Sequence, residues 1–279
     1  MKAVQLALIA YFLMPTLHGQ GKVNVLFQSD AQWYLEDEVL DPTGEFYPDE
    51  EFLSQGHALI TYKSGDFTAG LRYENYQNVM LGFPAGYRGE GIAYRYAQWQ
   101  QGDWNFTVGN YYEQFGSGLI FRSYEERGLG LDNAMDGVRL IGDLGNGLQI
   151  KAIMGRQRLY FTKGEGVLRG VDLGWDLTQP FPKLSDKNIY ASIGASFVSK
   201  FQRGYDPVLN LPNNVGAWAI RGDVSKGLWN WSSEYAYKIN DPSYDNGYIY
   251  RPGQALVSTL TFAKKGFGLL LSGKRIDNM

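Results

Sequence analysis

The sequence of residues 102–142, GDWNFTVGNYYEQFGSGLIFRSYEERGLGLDNAMDGVRLIG, contains both the repeating element of this chain and the one segment that departs from it. It begins as an alternating strand, with Trp104 and Phe106 on one face and polar residues on the other. The alternation stops at Gln114 and resumes near Met135. A hairpin normally closes in about two to five residues. The charged, aromatic and glycine-rich segment between these two strands therefore needs a role of its own.

Apolar and polar residues alternate with a period of two in segments along the whole chain. Leu148 and Ile150, for example, alternate with Gln149 and Lys151. The length of these segments, about 10–13 residues, fits a tilted membrane strand, because strands of soluble sheets average about five or six residues. We predict thirteen strands, near 22–35, 53–64, 66–76, 88–100, 103–113, 134–143, 147–157, 168–179, 188–200, 214–225, 228–239, 253–264 and 266–275.

The connections between these strands alternate in length. One set is short and marked by glycine, as at Gly65, Gly102 and Gly227, whereas the connection at 180–187 is intermediate. Bacterial outer-membrane barrels have short turns on one rim and long loops on the other, and a soluble sandwich has no reason to alternate in this way. The long connections are predicted at 36–52, 77–87, 114–133, 158–167, 201–213 and 240–252. An extra spanning strand within 114–133 would exchange the short and long connections for the rest of the chain. We therefore predict that 114–133 is one long loop, with a short strand or a helical turn inside it.

The N-terminus has the pattern of a secretory signal. Lys2 precedes an apolar run from Ala3 to Leu13, and small residues end at Gly19. We predict a signal peptide over 1–20 and one barrel domain over 21–279. No later apolar run reaches the ~20 residues of a spanning helix.

Composition narrows the class of protein further. The 20 Tyr, 7 Trp and 35 Gly, beside a mean hydropathy of −0.31, suit strands with one apolar and one polar face. The chain has no cysteine, which excludes thiol chemistry and cysteine-based metal sites. A net charge of −3 and a pI near 5.5 leave no basic surface for nucleic acid. A secreted β-sandwich is the alternative fold.

The strand count is odd, and the chain stops at Met279 without a closing strand that ends in an aromatic residue. A membrane barrel must close so that no sheet edge is left unpaired. Either C-terminal strands are missing from this chain, or the count is wrong by one.

The run Tyr-Glu-Gln-Phe-Gly-Ser-Gly at 112–118, followed by Arg122, Tyr124-Glu125-Glu126-Arg127 and Asp132-Asn133, resembles an uncharacterised family of Bacteroidota outer-membrane β-barrel proteins, a domain of unknown function. The resemblance implies a transmembrane antiparallel up-and-down barrel in the outer membrane, of which this chain is a C-terminally truncated member. The motif is not catalytic, so the resemblance implies a fold and a location but no reaction.

Two other features suggest chemistry weakly. His57 is the only histidine after the signal, and Ser54, three residues away, falls on the opposite face of a strand. A structural wall histidine is therefore favoured over a catalytic pair. The acidic segment 36–51 could offer carboxylates to Ca²⁺, but it lacks the required ligand spacing and reads as a solvated loop. We expect no cofactor, no metal and no enzymatic activity.

The remaining candidate is the charge cluster of the loop. Its mixed signs argue against a glycosidase pair and favour ion pairs in a lumen with little water. The pairs would brace the loop against the wall, or line a constriction that selects solutes. We expect Arg122 and Arg127 to be buried against acids. The predicted lumen constriction consists of Glu113, Arg122, Glu125, Glu126, Arg127, Asp132 and Arg139, with Asp136 nearby.

These observations predict a porin-like or receptor-like outer-membrane barrel with 114–133 folded into the lumen. A surface-binding or accessory barrel with a blocked lumen, acting through its long loops, is the alternative, and a barrel enzyme is the least favoured. The expected partners are outer-membrane lipid and either small solutes or a surface protein.

Overall fold

A computed structural model describes residues 21–35, 37, 39, 43, 50–204 and 208–279. The predicted signal sequence and most of the acidic segment 36–51 lie outside these residues. Within the described ranges, no helix combines the length and the apolar character needed to cross a membrane.

Thirteen long strands form one antiparallel sheet in the order of the sequence, and four two-residue strands lie outside it. The predicted fold class, an all-β chain with an up-and-down antiparallel sheet, is confirmed. Within the described residues, the first long strand pairs with the second and the last pairs with the one before it, each along nearly its whole length. The chain divides into two compact units, the first ending at Gln101 and the second covering Gly102–Met279.

The first unit holds four long strands: β1 (Lys22–Trp33), β2 (Phe52–Ser64), β3 (Phe67–Asn78) and β4 (Gly89–Gln101). His57 lies within β2, buried, with its ring edge-on to that of Tyr76 at 5.6 Å. It occupies the wall position predicted for it. On β3, the Arg72 guanidinium forms a buried ion pair of 2.6 Å with Glu74.

The second unit holds the other nine long strands and the loop between two of them. The long strands are β5 (Trp104–Tyr111), β10 (Met135–Asp143), β11 (Leu148–Leu159), β12 (Thr162–Asp176), β13 (Ile189–Phe201), β14 (Asn214–Lys226), β15 (Trp229–Lys238), β16 (Gly253–Lys264) and β17 (Phe267–Asp277). The short strands are β6 (Glu113–Gln114), β7 (Arg122–Ser123), β8 (Glu125–Glu126) and β9 (Leu131–Asp132).

One predicted long connection is wrong. Residues 158–167 are not a loop, because β11 and β12 continue into it and pair as far as Leu159 with Thr162. Tyr160 adopts a positive φ of 56° in the tight turn, where the sequence has neither glycine nor asparagine to signal it. The connection at 180–187 contains a short helix, α1 (Pro182–Asp186).

The sheet of the second unit has two chemically different faces. Residues directly opposite each other in antiparallel strands share a face, so the row Ala219, Ala236 and Ala255 lies on one side. All three alanines are buried, because they face the segment 114–133. We call this side the loop face and its reverse the outer face. Large apolar side chains are exposed on the outer face: Phe106, Val108, Val138, Met154, Val171, Leu173, Ile193, Phe197, Trp218, Ile220 and Leu256.

Candidate functional site

The segment 114–133 is a structured loop within the second unit, not a spanning strand. Its first half is a small hairpin in which β6 pairs with β7, and its second half is another in which β8 pairs with β9 around a 3-10 turn at Arg127–Leu129. We expect a short strand or a helical turn inside the loop, and the structure shows four two-residue strands and a 3-10 turn. Between β6 and β7 lies the loop tip, which we define as residues 115–121.

An apolar cluster holds the base of the loop tip to the sheet. Phe115 is fully buried and its ring lies 5.2 Å from that of Phe121. A Cβ placed on Gly170 of β12 would come within 2.8 Å of the Phe115 ring, so the phenyl group occupies the space above a glycine. The cluster consists of Tyr111, Phe115, Phe121, Met135, Ile153 and Val198.

The far end of the loop tip packs on a second patch of the loop face. Leu119 and Ile120 contact the buried alanine row on β14, β15 and β16. Small side chains in that row allow the loop to approach the strands closely. The tip therefore extends along the loop face from β12 to β16, away from the strands that begin and end the loop.

A polar contact fixes the middle of the tip. The Ser117 N–H donates a hydrogen bond of 2.6 Å to Oε2 of Glu234 on β15. Gly116 adopts a φ of +53°, and a Cβ there would lie 2.6 Å from Oε1 of the same carboxylate. Glycine adopts this backbone conformation without strain, and a side chain here would also have to displace the carboxylate.

Glu113 is the predicted site residue that the structure places at the centre of an ion-pair network. Its carboxylate accepts from Lys151 Nζ at 2.7 Å and lies 3.5 Å from the Arg139 guanidinium. Lys151 also donates to the carbonyl of Gln114 at 3.1 Å. Arg139 reaches Asn105, Thr107 and the Tyr112 carbonyl. These contacts tie the entry of the loop to β5, β10 and β11.

Asp132 lies in a second buried network at the exit of the loop. It forms an ion pair with Arg158 of β11 in which both side chains are almost completely buried. Its other oxygen accepts from the Tyr112 hydroxyl and the Ala134 N–H, each at 3.0 Å. Asp136, nearby on β10, pairs with Lys163 at 2.5 Å.

The expected burial against acids is wrong for Arg122, and for Arg127 the acidic partner is present but the burial is incomplete. Arg122 is exposed and stacks over the Tyr124 ring at 4.1 Å. Arg127 pairs at 3.1 Å with Glu125, two residues away, and remains 37% exposed. Glu126 is exposed.

The structure adds wall residues that the sequence did not single out. On β12 and β14, Asp172 and Arg221 form a bidentate pair with distances of 2.7 and 3.1 Å, and Ser196 bonds to both. Arg221 bends over Gly194, whose missing side chain leaves room for the guanidinium. In the sequence, these residues could be recognised only as charged residues on the polar face of a strand, near a glycine. That pattern is also common in strands without a functional site.

Cavities lie on both sides of the loop tip. One of about 570 Å³ is lined by Ile120 and by residues of the connections after β13 and β15. On the other side, cavities of about 330 and 260 Å³ meet at Gly116 and Arg221. The smaller of the two is also lined by Lys151 and Asp172.

Comparison with solved structures finds outer-membrane proteins that are similar to this chain at low sequence identity. OmpF of Salmonella typhi, in a complex with daunomycin, has a TM-score of 0.48 and 12% identity, over 92% of this chain and 78% of that one. A BenF-like porin from Pseudomonas fluorescens Pf-5 has a TM-score of 0.37 and 9% identity, over 93% and 94%. The outer membrane protein opdK of Pseudomonas aeruginosa gives the same four values. No curated protein matches this sequence.

One family model covers the whole chain. It matches residues 1–279, and thus includes the loop and both units. This chain belongs to a family of unknown function, DUF6029.

Proposed function

We propose that this protein is a porin-like channel of the outer membrane, in which the loop 114–133 enters the lumen and narrows it. The observation that carries the proposal is the position of the loop tip on the charged loop face, fixed by the Ser117–Glu234 hydrogen bond and by the buried Phe115. A loop seated on the inside of a barrel wall leaves a narrower path for solutes.

The outer face supports a membrane location. Its exposed side chains are large and apolar, as on Ile193, Phe197 and Ile220, whereas the loop face carries lysine, arginine and carboxylates. Lipid-facing and lumen-facing residues alternate in this way along outer-membrane strands. The proposal includes export by the signal at 1–20 and outer-membrane lipid as the partner of the outer face.

In this proposal, the charged residues of the loop both hold it on the wall and line the constriction. Glu113, Asp132 and Arg139 fix the two ends of the loop on the wall. Arg122, Glu126 and Arg127 lie at its exposed side, where they would meet solutes entering from the long-connection rim. Glu125 pairs locally with Arg127.

A blocked accessory barrel that acts through its long loops is the competing function. Cavities on both sides of the tip favour an open path over a complete plug, because a plug would fill the space on at least one side. His57, the histidine that a barrel enzyme would need, is buried with its ring edge-on to that of Tyr76.

Planar-bilayer recording tests the proposal. We expect the wild-type protein to give discrete conductance steps, and a variant with 116–119 replaced by a shorter Gly-Ser link to give larger ones. A control variant shortened in the connection 240–252 should keep the wild-type step size. Conductance that appears only after the tip is shortened would establish a blocked lumen, and its absence from both proteins would refute a channel.

A further inference from the structure

Three cations of the loop face beside the loop tip lie in ion pairs with acids. On the loop face, Arg139 and Lys151 both contact Glu113. The Arg221 guanidinium is bonded through two nitrogens to Asp172. The charge of Arg221 is therefore balanced within its own pair, whereas Arg139 and Lys151 share the one carboxylate of Glu113.

Two acids remain without a cationic partner. Glu234 is 5% exposed and accepts the Ser117 N–H through Oε2, while its Oε1 has no hydrogen-bond partner among the described residues. Asp223 lies two positions beyond Arg221 on β14, on the same face. The carboxylate of Asp223 accepts a hydrogen bond of 3.4 Å from the Ser192 hydroxyl. Neither acid forms an ion pair in the described part of the chain.

Both acids line the same cavity, the one of about 330 Å³ beside the loop tip. Ser117 and Ser232 contribute hydroxyl groups to its wall. Arg221 also lines it, with its charge already compensated. Lys274, in the same row two strands beyond Glu234, forms no ion pair with either acid. The cavity thus has a surplus of negative charge and hydroxyl groups suited to a hydrated cation.

We propose that the passage beside the loop tip selects cations, and that Glu234 and Asp223 are the residues that set this selectivity. The inference rests on the proposed channel function and names its class of solute: small inorganic cations and protonated amines. A fixed negative charge in a narrow, low-dielectric passage attracts cations and repels anions, and rings of acids give cation-selective pores in this way.

The reversal potential under a KCl gradient measures this selectivity directly. The experiment compares the wild-type protein with Glu234→Gln and Asp223→Asn in planar bilayers. Glutamine keeps an acceptor for the Ser117 N–H, so the first substitution removes charge and leaves the tip in place. Asp186→Asn is the control, because Asp186 is an exposed acid of α1 with no contact to this cavity.

We expect K⁺ to permeate better than Cl⁻ in the wild-type protein and in the control. Each of the two cavity variants should lower the K⁺/Cl⁻ permeability ratio by about twofold or more, and their combination should lower it further. A wild-type pore that conducts without preferring K⁺, or a ratio unchanged in both variants, would overturn the inference while leaving the channel intact. An absence of any conductance would refute the channel and this inference together.

Discussion

The Ser117 N–H and the Glu234 carboxylate form a 2.6 Å hydrogen bond that joins residues 117 positions apart in the sequence. Glu234 lies directly opposite Arg221 in the pairing of β15 with β14, where an ion pair would be expected. Arg221 instead bonds to Asp172. The carboxylate is therefore left to receive the loop tip.

This arrangement predicts that Asp172 controls the loop tip from a distance. Asp172→Ala frees the Arg221 guanidinium, which can then pair with Glu234 and compete with the Ser117 N–H. We expect faster hydrogen exchange at residues 115–121 in the variant. Glu165→Ala, an exposed acid on the same strand, is the matched control and should leave exchange unchanged. Equal protection of the tip in both variants would show that Arg221 does not compete.

A second prediction concerns Gly116. Alanine at this position meets two penalties: a φ of +53°, which costs an L-residue about 1–2 kcal/mol, and a Cβ only 2.6 Å from Glu234. Gly227→Ala has the same conformational penalty at a φ of +58° but nothing within 4 Å. We expect Gly116→Ala to lower the melting temperature in detergent more than Gly227→Ala does. Identical losses would mean that the tip does not press on the carboxylate.

The sheet could be predicted from the sequence because each of its strands has one apolar and one polar face. Residues such as Ile193 and Phe197 alternate with Gly194 and Ser196. This two-residue period is present in the sequence regardless of which element packs against the strand. The error at 158–167 arose because the residues around Thr162 are polar on both faces, so a paired strand there resembles a loop.

The contacts of the loop could not be predicted in the same way. The sequence predicts a loop that braces itself and pairs Arg122 with acids near it in the chain, whereas the guanidinium stacks on Tyr124. The actual partners of the loop are Lys151 and Glu234 on strands of the wall. Which wall residues meet the tip depends on how far the tip extends across the sheet, and no local pattern encodes that distance.

The buried ion pair of Arg158 and the exposed ring contact of Arg122 should differ sharply in strength. Arg158→Ala leaves Asp132 buried without this charge partner, and breaking a buried pair costs about 3–5 kcal/mol. Arg122→Ala removes a stacking contact at an exposed site, where the loss is about 0.5–1 kcal/mol. Thermal unfolding in detergent measures both, with Arg203→Ala, exposed, as the control. A larger loss for Arg122→Ala than for Arg158→Ala would contradict this account.

The alternation of connection lengths gives a topological prediction. The turn at Gly227 belongs to the short set, and the connection that contains Gly247 belongs to the long set. If the long set faces outside, an epitope tag inserted at Gly247 should be accessible on intact cells, and one at Gly227 should become accessible only after permeabilisation. Labelling of both tags on intact cells would exclude a membrane-spanning sheet with these two rims.

Phe115 provides the most direct test of whether the loop is fixed on the wall by packing. Its side chain is fully buried above Gly170, and truncation of a buried phenylalanine costs about 3–5 kcal/mol. Phe115→Ala should therefore release the tip, which would lower the melting temperature and raise the conductance of single channels. Phe181→Ala is the control, since Phe181 is 52% exposed beside α1. If Phe115→Ala destabilises the protein and the conductance stays at the wild-type value, the tip is a structural element of the wall and does not narrow the path.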